Sequence, residues 1–267
     1  MYISIITTIK DDPLGIYPTI KSVVNQSIFS NIEYIIVDAS SKKNTPMIIA
    51  DLIKKKNIRY LKSNDNNLYK GLNLGIRASK GKYVGILNSG DIYYSDNILE
   101  HILKIICKNP SVNLISGNLV YFNSFKITRT WTMNLKNLSK IDFFKLPHPA
   151  TFIKKNILTK NQYYSENYKI SSDLDFFLKS RSDLDMKNIY LNKDLIFIRE
   201  GVFIMSIVKI LIKIFEDLSI LFSHFSLFFL FFYLKKILIK LPGFFFFRKK
   251  SKYYNSLLKR LLEISKK

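Results

Sequence analysis

The sequence predicts an α/β protein whose largely parallel sheet is covered by helices on both faces. Three observations carry that prediction. Short apolar runs alternate with segments of helical periodicity through the first two hundred residues; the 267-residue chain is 48% hydrophobic, enough for a sizeable core; and the single cysteine, Cys107, leaves packing rather than disulfides to hold the fold. A disordered chain and a disulfide-stapled secreted domain are excluded on those grounds. The residues after Met1 read directly as a strand with no cleavable leader pattern, so a domain acting in the cytosol is expected.

In chain order, Tyr2 to Thr7 reads as the first strand, and Pro18 introduces a helix over Thr19 to Gln26. Glu33 to Val37 is a continuous strand run, largely β-branched, that ends at Asp38, Thr45 to Lys56 is helical, and Ile58 to Leu61 is a strand. Leu68 to Ser79 is a helix with Gly81 just past its end, and Tyr83 to Leu87 is the next strand. Helices between consecutive strands are the crossovers a parallel sheet needs. Ligands of such sheets bind beyond the carboxyl ends of the strands, which singles out Thr7-Thr8, Asp38 to Ser41 and Asn88-Ser89-Gly90-Asp91.

No Gly-x-Gly-x-x-Gly follows the first strand and no Gly-x-x-x-x-Gly-Lys-Ser/Thr occurs, so dinucleotide and P-loop cradles are excluded. The three histidines and Cys107 lie too far apart to form a zinc site by spacing. Asp38 and Asp91 stand at the ends of apolar strands in a chain poor in acids. Each can cap the turn that follows, or serve a ligand: one carboxylate accepting from a nucleobase imide, the other holding a hard cation against a diphosphate. Asp173 follows Ser171-Ser172 at the start of an apolar helical pattern and can be a first-turn acid favoured by the helix dipole.

Charge is uneven. The chain carries 42 Lys plus Arg against 20 Asp plus Glu, a net +22, consistent with a polyanionic partner or with the Ile, Lys, Asn, Phe and Tyr usage of an AT-rich genome. Residues 1–200 have a net +12 and residues 201–267 a net +10. The final quarter also holds the uncharged run Leu218 to Leu234, the pair Lys235-Lys236, the Phe244 to Phe247 run and Arg248-Lys249-Lys250. At 17 residues the run falls short of the about 20 that span a bilayer, and an in-plane helix with lysines in the polar layer fits its flanks as well. A nucleic-acid partner is not expected, because no recognised DNA- or RNA-binding motif accompanies the charge.

Several stretches together resemble the family 2 glycosyltransferases, which have a GT-A fold. They are Tyr2 to Thr7, Glu33 to Ser41, Asp65 to Gly75 and Gly81-Lys-Tyr-Val-Gly-Ile-Leu-Asn-Ser-Gly-Asp91, followed in the family's order by His148 to Phe152 and Ile170 to Leu178. The resemblance runs from residue 1 to about 203 and implies a hexosyltransferase. It implies that Thr7, Thr8, Asp38, Asp65, Asn73 and Ser89 bind a nucleotide-sugar, that Asp91 faces a divalent metal (Mn2+ or Mg2+), that His148 lies on the acceptor side, and that Asp173 is the general base, with Asp175 its competitor. An inverting transfer needs such a base for the acceptor hydroxyl and a cation for the departing diphosphate. The chain departs from the family pattern at Ala39, Lys42, Asn66-Asn67 and Lys70. The two lysines are either compensating cations or marks of a decayed donor site.

The expected organisation is a GT-A-like domain over 1–203 and a basic, Leu/Phe-rich helical tail over 204–267 that associates with the membrane. The expected function is transfer of a sugar from a nucleoside diphosphate donor, UDP-linked, to a lipid-linked saccharide for a bacterial surface polysaccharide such as O-antigen. The expected place is the cytoplasmic face of the inner membrane, peripheral or single-pass, with an anionic membrane surface as partner. The rival is a catalytically silent GT-A-like scaffold subunit.

Overall fold

The structure is a computed structural model that describes residues 1–41, 50, 52–54, 58–123, 126–132, 146–181, 183, 187–200, 207–228, 230–231, 233–234 and 250–266. Four parallel strands form one half of the sheet: β1 (Ile3–Ile9), β2 (Glu33–Asp38), β3 (Ile58–Lys62) and β4 (Tyr83–Ile86), in the spatial order β3-β2-β1-β4. The other half is not the continuation that simple alternation predicts. β8 (Thr151–Lys154) pairs antiparallel with β4, β6 (Leu114–Asn123) antiparallel with β8, and β9 (Asn188–Arg199) parallel with β6. β5 (Ile92–Tyr93) closes the far edge on β9, and β7 (Lys126–Trp131) pairs with β6. These pairings join residues far apart in sequence, and local periodicity carries no signal for them.

One face is covered by α1 (Pro13–Val24) and by α3 (Ile98–Lys108), which follows β5, with Leu52 and Ile53 packed there as well. Ile16, Ile20, Leu99 and Ile102 pack there with Ile3, Ile5, Tyr34 and Ile36. The opposite face takes α2 (Leu68–Ala78), α4 (Lys155–Lys160) and α5 (Ser172–Lys179), with Ile6, Ile35, Val37, Leu72, Ile76 and Phe176 in its core. Side chains along β1 and β2 therefore alternate between the two layers, as the pleat requires. α1 begins six residues before the expected Thr19. Asp12 accepts from the Gly15 backbone N–H and caps the helix, Pro13 takes the first position where its missing N–H costs nothing, and Pro18 lies inside the helix. The expected helix over Thr45 to Lys56 falls largely outside the described residues, as do Lys42 and the Phe244 to Phe247 run.

Two helices beyond residue 203 are docked on this body. α6 (Ile207–Phe225) starts eleven residues before the uncharged run and buries Ile220 and Leu221 against Leu174 and Leu178 of α5. α7 (Lys250–Lys266) places Leu257 and Ile264 among Ile92, Val120, Phe122 and Phe197. Arg260 of α7 is 1% exposed; it donates to the Tyr93 carbonyl and pairs with Asp96. The other side of α6 is apolar and open to solvent: Val208, Leu211, Phe215 and Phe222 are exposed. Among the described residues no helix is long and apolar enough to cross a membrane.

Candidate active site

The carboxyl ends of β1, β2 and β4 open onto a cavity of about 350 Å³, within the range of small-molecule sites. Thr8 and Lys10 line it from β1 and its following loop, Val37 and Ala39 from the end of β2, Asn67 and Leu68 from the start of α2, and Asn88 and Ser89 from the turn after β4. Alternation along the strands decides which side chains reach it. Thr8 faces the cavity and its hydroxyl donates to Asn88 Oδ1 at 3.3 Å. Thr7, one residue earlier, points the other way, is fully buried, and accepts from the Tyr34 hydroxyl at 3.0 Å. The expected pair is thus divided: Thr8 lies on the cavity wall, while Thr7 belongs to the core under α1 because adjacent strand residues face opposite layers.

Asp38 lies behind the wall made by its neighbours. Its carboxylate is fully buried, accepts the Ser40 backbone N–H at 2.7 Å and the Tyr60 hydroxyl, and pairs with Lys62 at 3.5 Å. Burial pushes its pKa upward, but the bonds from Tyr60 and Ser40 and the charge of Lys62 outweigh burial and hold it below the ordinary value. Asp38 therefore shapes the loop that forms the cavity floor. Asp65 sits beyond the rim, where it accepts from Asn67 N and pairs with Lys70 Nζ at 2.6 Å. The departure at Lys70 thus has a local carboxylate partner. Asn73 is not at the cavity: it is buried, donates to the Tyr164 carbonyl and Glu166, and accepts from Tyr164 N, tying α2 to the segment before α5.

The turn after β4 is built around Gly90, whose φ of +95° is left-handed; a Cβ there would lie 2.5 Å from Arg199 Nε. The Arg199 guanidinium pairs with Asp12, which also accepts from Ser89 Oγ at 2.8 Å and lines the cavity. Asp12 is a site residue that the sequence reading passed over, although an acid immediately before Pro13 is a capping signature. Burial raises the pKa of Asp12, and the bonds and charge of Arg199 more than offset this, leaving it below the ordinary value.

Asp91 is held differently. It is 5% exposed, and its Oδ1 accepts the Arg199 backbone N–H at 3.1 Å. Burial pushes its pKa up to about 8, against the opposing pull of Arg199. Asp91 is not part of the cavity lining, and Asp12, the carboxylate on the cavity wall, already holds a guanidinium. Among the described residues no three His, Cys, Asp or Glu side chains cluster as metal ligands. The residues present do not fit a divalent ion in this arrangement. The expected metal-facing role of Asp91 is corrected accordingly, because the pairing of β5 with β9 draws it under the turn towards Arg199.

The raised pKa carries a stability prediction. A folded carboxyl that keeps its proton above the ordinary carboxylate pKa contributes most below that pH and loses its contribution as pH rises towards about 8. Asp91→Asn retains an acceptor for Arg199 N–H and carries no titrating proton. It is expected to leave the melting temperature unchanged near pH 4 and to raise it near pH 8, where the stabilisation is on the order of one to a few kcal/mol. An equal melting shift at both pH values would contradict the burial account.

On the α5 side, Asp173 lies 3.5 Å from the Tyr69 hydroxyl, and Tyr69 directly follows cavity-lining Leu68. Tyr69 donates to the Ile170 carbonyl at 2.7 Å. His148 meets the Tyr164 hydroxyl through Nε2 at 2.7 Å and packs edge-on against Tyr164 and Phe177. Burial pulls the His148 imidazole below its ordinary pKa, with the nearby Asp173 charge opposing. Asp175, the competing carboxylate, is turned to α6, where it meets His224 Nε2 at 3.2 Å. The structure therefore brings Asp173 near Tyr69 and His148 and points Asp175 away.

A half-parallel sheet with a ligand-sized cavity at the ends of its parallel strands is the arrangement of the GT-A type. The family model described as glycosyl transferase family 2 matches residues 4–168, and the chain belongs to that family. It is similar to the minor teichoic acid biosynthesis protein GgaB of Bacillus subtilis (strain 168), at 30% identity over 183 residues, 64% of this chain and 20% of that protein. It is also similar to the uncharacterized glycosyltransferase RP339 of Rickettsia prowazekii (strain Madrid E), at 30% identity over 57% of this chain and 50% of that one. The chain thus spans about a fifth to a half of the length of these curated relatives. Among solved structures, S. aureus TarS 1-349 superposes with a TM-score of 0.67 at 14% identity, covering 99% of this chain and 81% of that one. The same protein in complex with UDP-GlcNAc superposes at 0.66, with 14% identity over 84% and 68%. At these identities the likeness defines the fold.

Proposed function

We propose that the chain is an inverting glycosyltransferase that moves a sugar from a UDP-linked donor to a lipid-carried saccharide during assembly of a bacterial surface polysaccharide. The observation that carries this reading is a cavity at the carboxyl ends of β1, β2 and β4, with Asp173 beside Tyr69, the residue next to cavity-lining Leu68. The nucleoside packs against Val37, Ala39 and Leu68, and the diphosphate lies towards Asn88 and Ser89, with Lys10 and Arg199 as the nearby cations. The Asp173 carboxylate takes the acceptor hydroxyl proton as that oxygen attacks the anomeric carbon. The bond from that carbon to the diphosphate breaks on the opposite face, and UDP leaves with its electron pair. The name of GgaB supports a polysaccharide of the cell surface as the product class.

Screening UDP-glucose, UDP-galactose, UDP-GlcNAc and UDP-GalNAc for thermal stabilisation tests the donor. At least one is expected to raise the melting temperature in proportion to the logarithm of its concentration, and to release UDP slowly with water as acceptor. Stabilisation without UDP release under any acceptor would favour the silent scaffold.

The same proposal places the chain on the cytoplasmic face of the inner membrane as a peripheral protein. The support is the exposed apolar side of α6, continued by exposed Phe228, Leu230, Phe231 and Leu234, in a segment with a net +10 charge. The full-length chain is expected to float with liposomes containing anionic lipid and to detach partly in high salt. Failure to float with any anionic liposome would refute the membrane reading.

A further inference from the structure

The helix that offers an apolar surface to solvent also reaches the catalytic machinery from its other side. Lys213, Glu216, Ile220 and His224 recur every three or four residues and share the α6 face turned to α5. Glu216 is 7% exposed and accepts three consecutive backbone N–H groups: Lys169 at 2.7 Å through Oε1, and Ile170 at 3.0 Å and Ser171 at 2.9 Å through Oε2. Those donors belong to the turn that enters α5, two residues before Asp173. Ser171, at the N-cap position of α5, makes no capping bond with its own side chain. A buried carboxylate from a distant helix instead satisfies the backbone N–H of this N-cap residue and of the two residues before it. Lys213 Nζ donates to Ser171 Oγ at 3.2 Å, and the Ile170 carbonyl is held from the opposite side by Tyr69.

We infer that Glu216 is a positioning residue, which fixes the turn before α5 and thereby aims the Asp173 carboxylate at the acceptor hydroxyl. Burying a carboxylate is costly, and this one is satisfied by donors of a single turn. A hydrophobic residue at 216 would have packed α6 onto α5 without that cost. The turn is gripped through its N–H groups by Glu216 and through a carbonyl by Tyr69, so Asp173 is located relative to both α6 and the cavity-edge helix α2. Such precision is what proton transfer in the transition state requires, and a misplacement of about 1 Å can cost about a hundredfold in rate.

The inference rests on Asp173 as the base, and the test separates the two. UDP release from the donor that stabilises the chain most is measured for the full-length wild type, Glu216→Gln, Asp173→Asn and the double variant, with donor affinity and melting temperature recorded for each. Glu216→Gln keeps the side-chain shape but replaces one acceptor oxygen by a donor that faces the N–H groups. Its kcat is expected to fall about 10- to 100-fold with the donor KM unchanged. In the Asp173→Asn background the same change should lower the rate no further, since there is no base left to aim. Glu216→Asp keeps the charge with a shorter reach and should restore part of kcat; it also serves as the primary variant if Glu216→Gln does not fold. A folded Glu216 variant with wild-type kcat overturns the inference while leaving Asp173 in place, and so does a double variant whose losses multiply. Wild-type kcat in Asp173→Asn overturns the base reading, and the inference with it.

Discussion

Asp173→Asn is expected to lower turnover by roughly two to four orders of magnitude while binding the UDP-sugar as tightly as the wild type. The side chain is placed by α5 and the turn before it, beside Tyr69 and the His148–Tyr164 pair, and it makes no contact with the cavity wall that would hold the nucleotide. In the proposed role of base it acts only as the acceptor oxygen loses its proton, so the loss should appear in kcat and not in donor affinity. Asp175→Asn is the control. Asp175 is engaged by His224 on the far side of α5, and its removal should cost some stability and little rate. Inactivity of the Asp175 variant with intact donor binding would transfer the base role to that residue.

The largest effect on stability is expected at Phe152. This side chain is 1% exposed on β8, the strand that joins the parallel half of the sheet to the antiparallel half by pairing with both β4 and β6. Its ring lies directly over Gly85 of β4, where an added Cβ would come within 2.6 Å of it. Phe152→Ala leaves a cavity at that junction, and the cost should be about 3 to 5 kcal/mol, a large part of the 5 to 15 kcal/mol typical of a domain. Chemical denaturation reads this directly as a lower midpoint with an unchanged slope. A loss under about 1 kcal/mol would mean that β8 and β4 can close over the gap.

The parallel half of the fold was legible in the sequence because each of its elements has its own period. β2, β3, α2 and β4 fall within a residue or two of their expected bounds, and β1 runs two residues further, to Ile9. The antiparallel half was not legible, since β6, β8 and β9 find one another across long stretches of chain. The site divides along the same line. Thr8 and Ser89 stand at strand ends and line the cavity, as position alone suggested. Thr7 and Asn73 carry the right chemistry but face the core or a neighbouring segment, and only the pleat and helix phase reveal this. Arg199 reaches Asp12 from 187 residues away, and no local pattern announces it. Glu216 was hidden for another reason: it lies in a stretch whose composition reads as tail.

That stretch also changes how the chain can be trimmed. Composition shifts near residue 203, and a cut there looks like a way to free a well-behaved catalytic core from its greasy end. Packing draws the line elsewhere. Removing α6 would bare Leu174 and Leu178 and release the turn that Glu216 holds, and losing α7 would open Ile92, Val120 and Phe197 to water. Each such side chain gives up about 1.5 to 3 kcal/mol when it leaves the core, so a handful of them outweighs the usual margin of a folded domain. The adhesive surface and the internal strut are two sides of one rod. Solubility is therefore better sought by placing polar residues at the outward positions Val208, Leu211, Phe215 and Phe222 than by shortening the polypeptide.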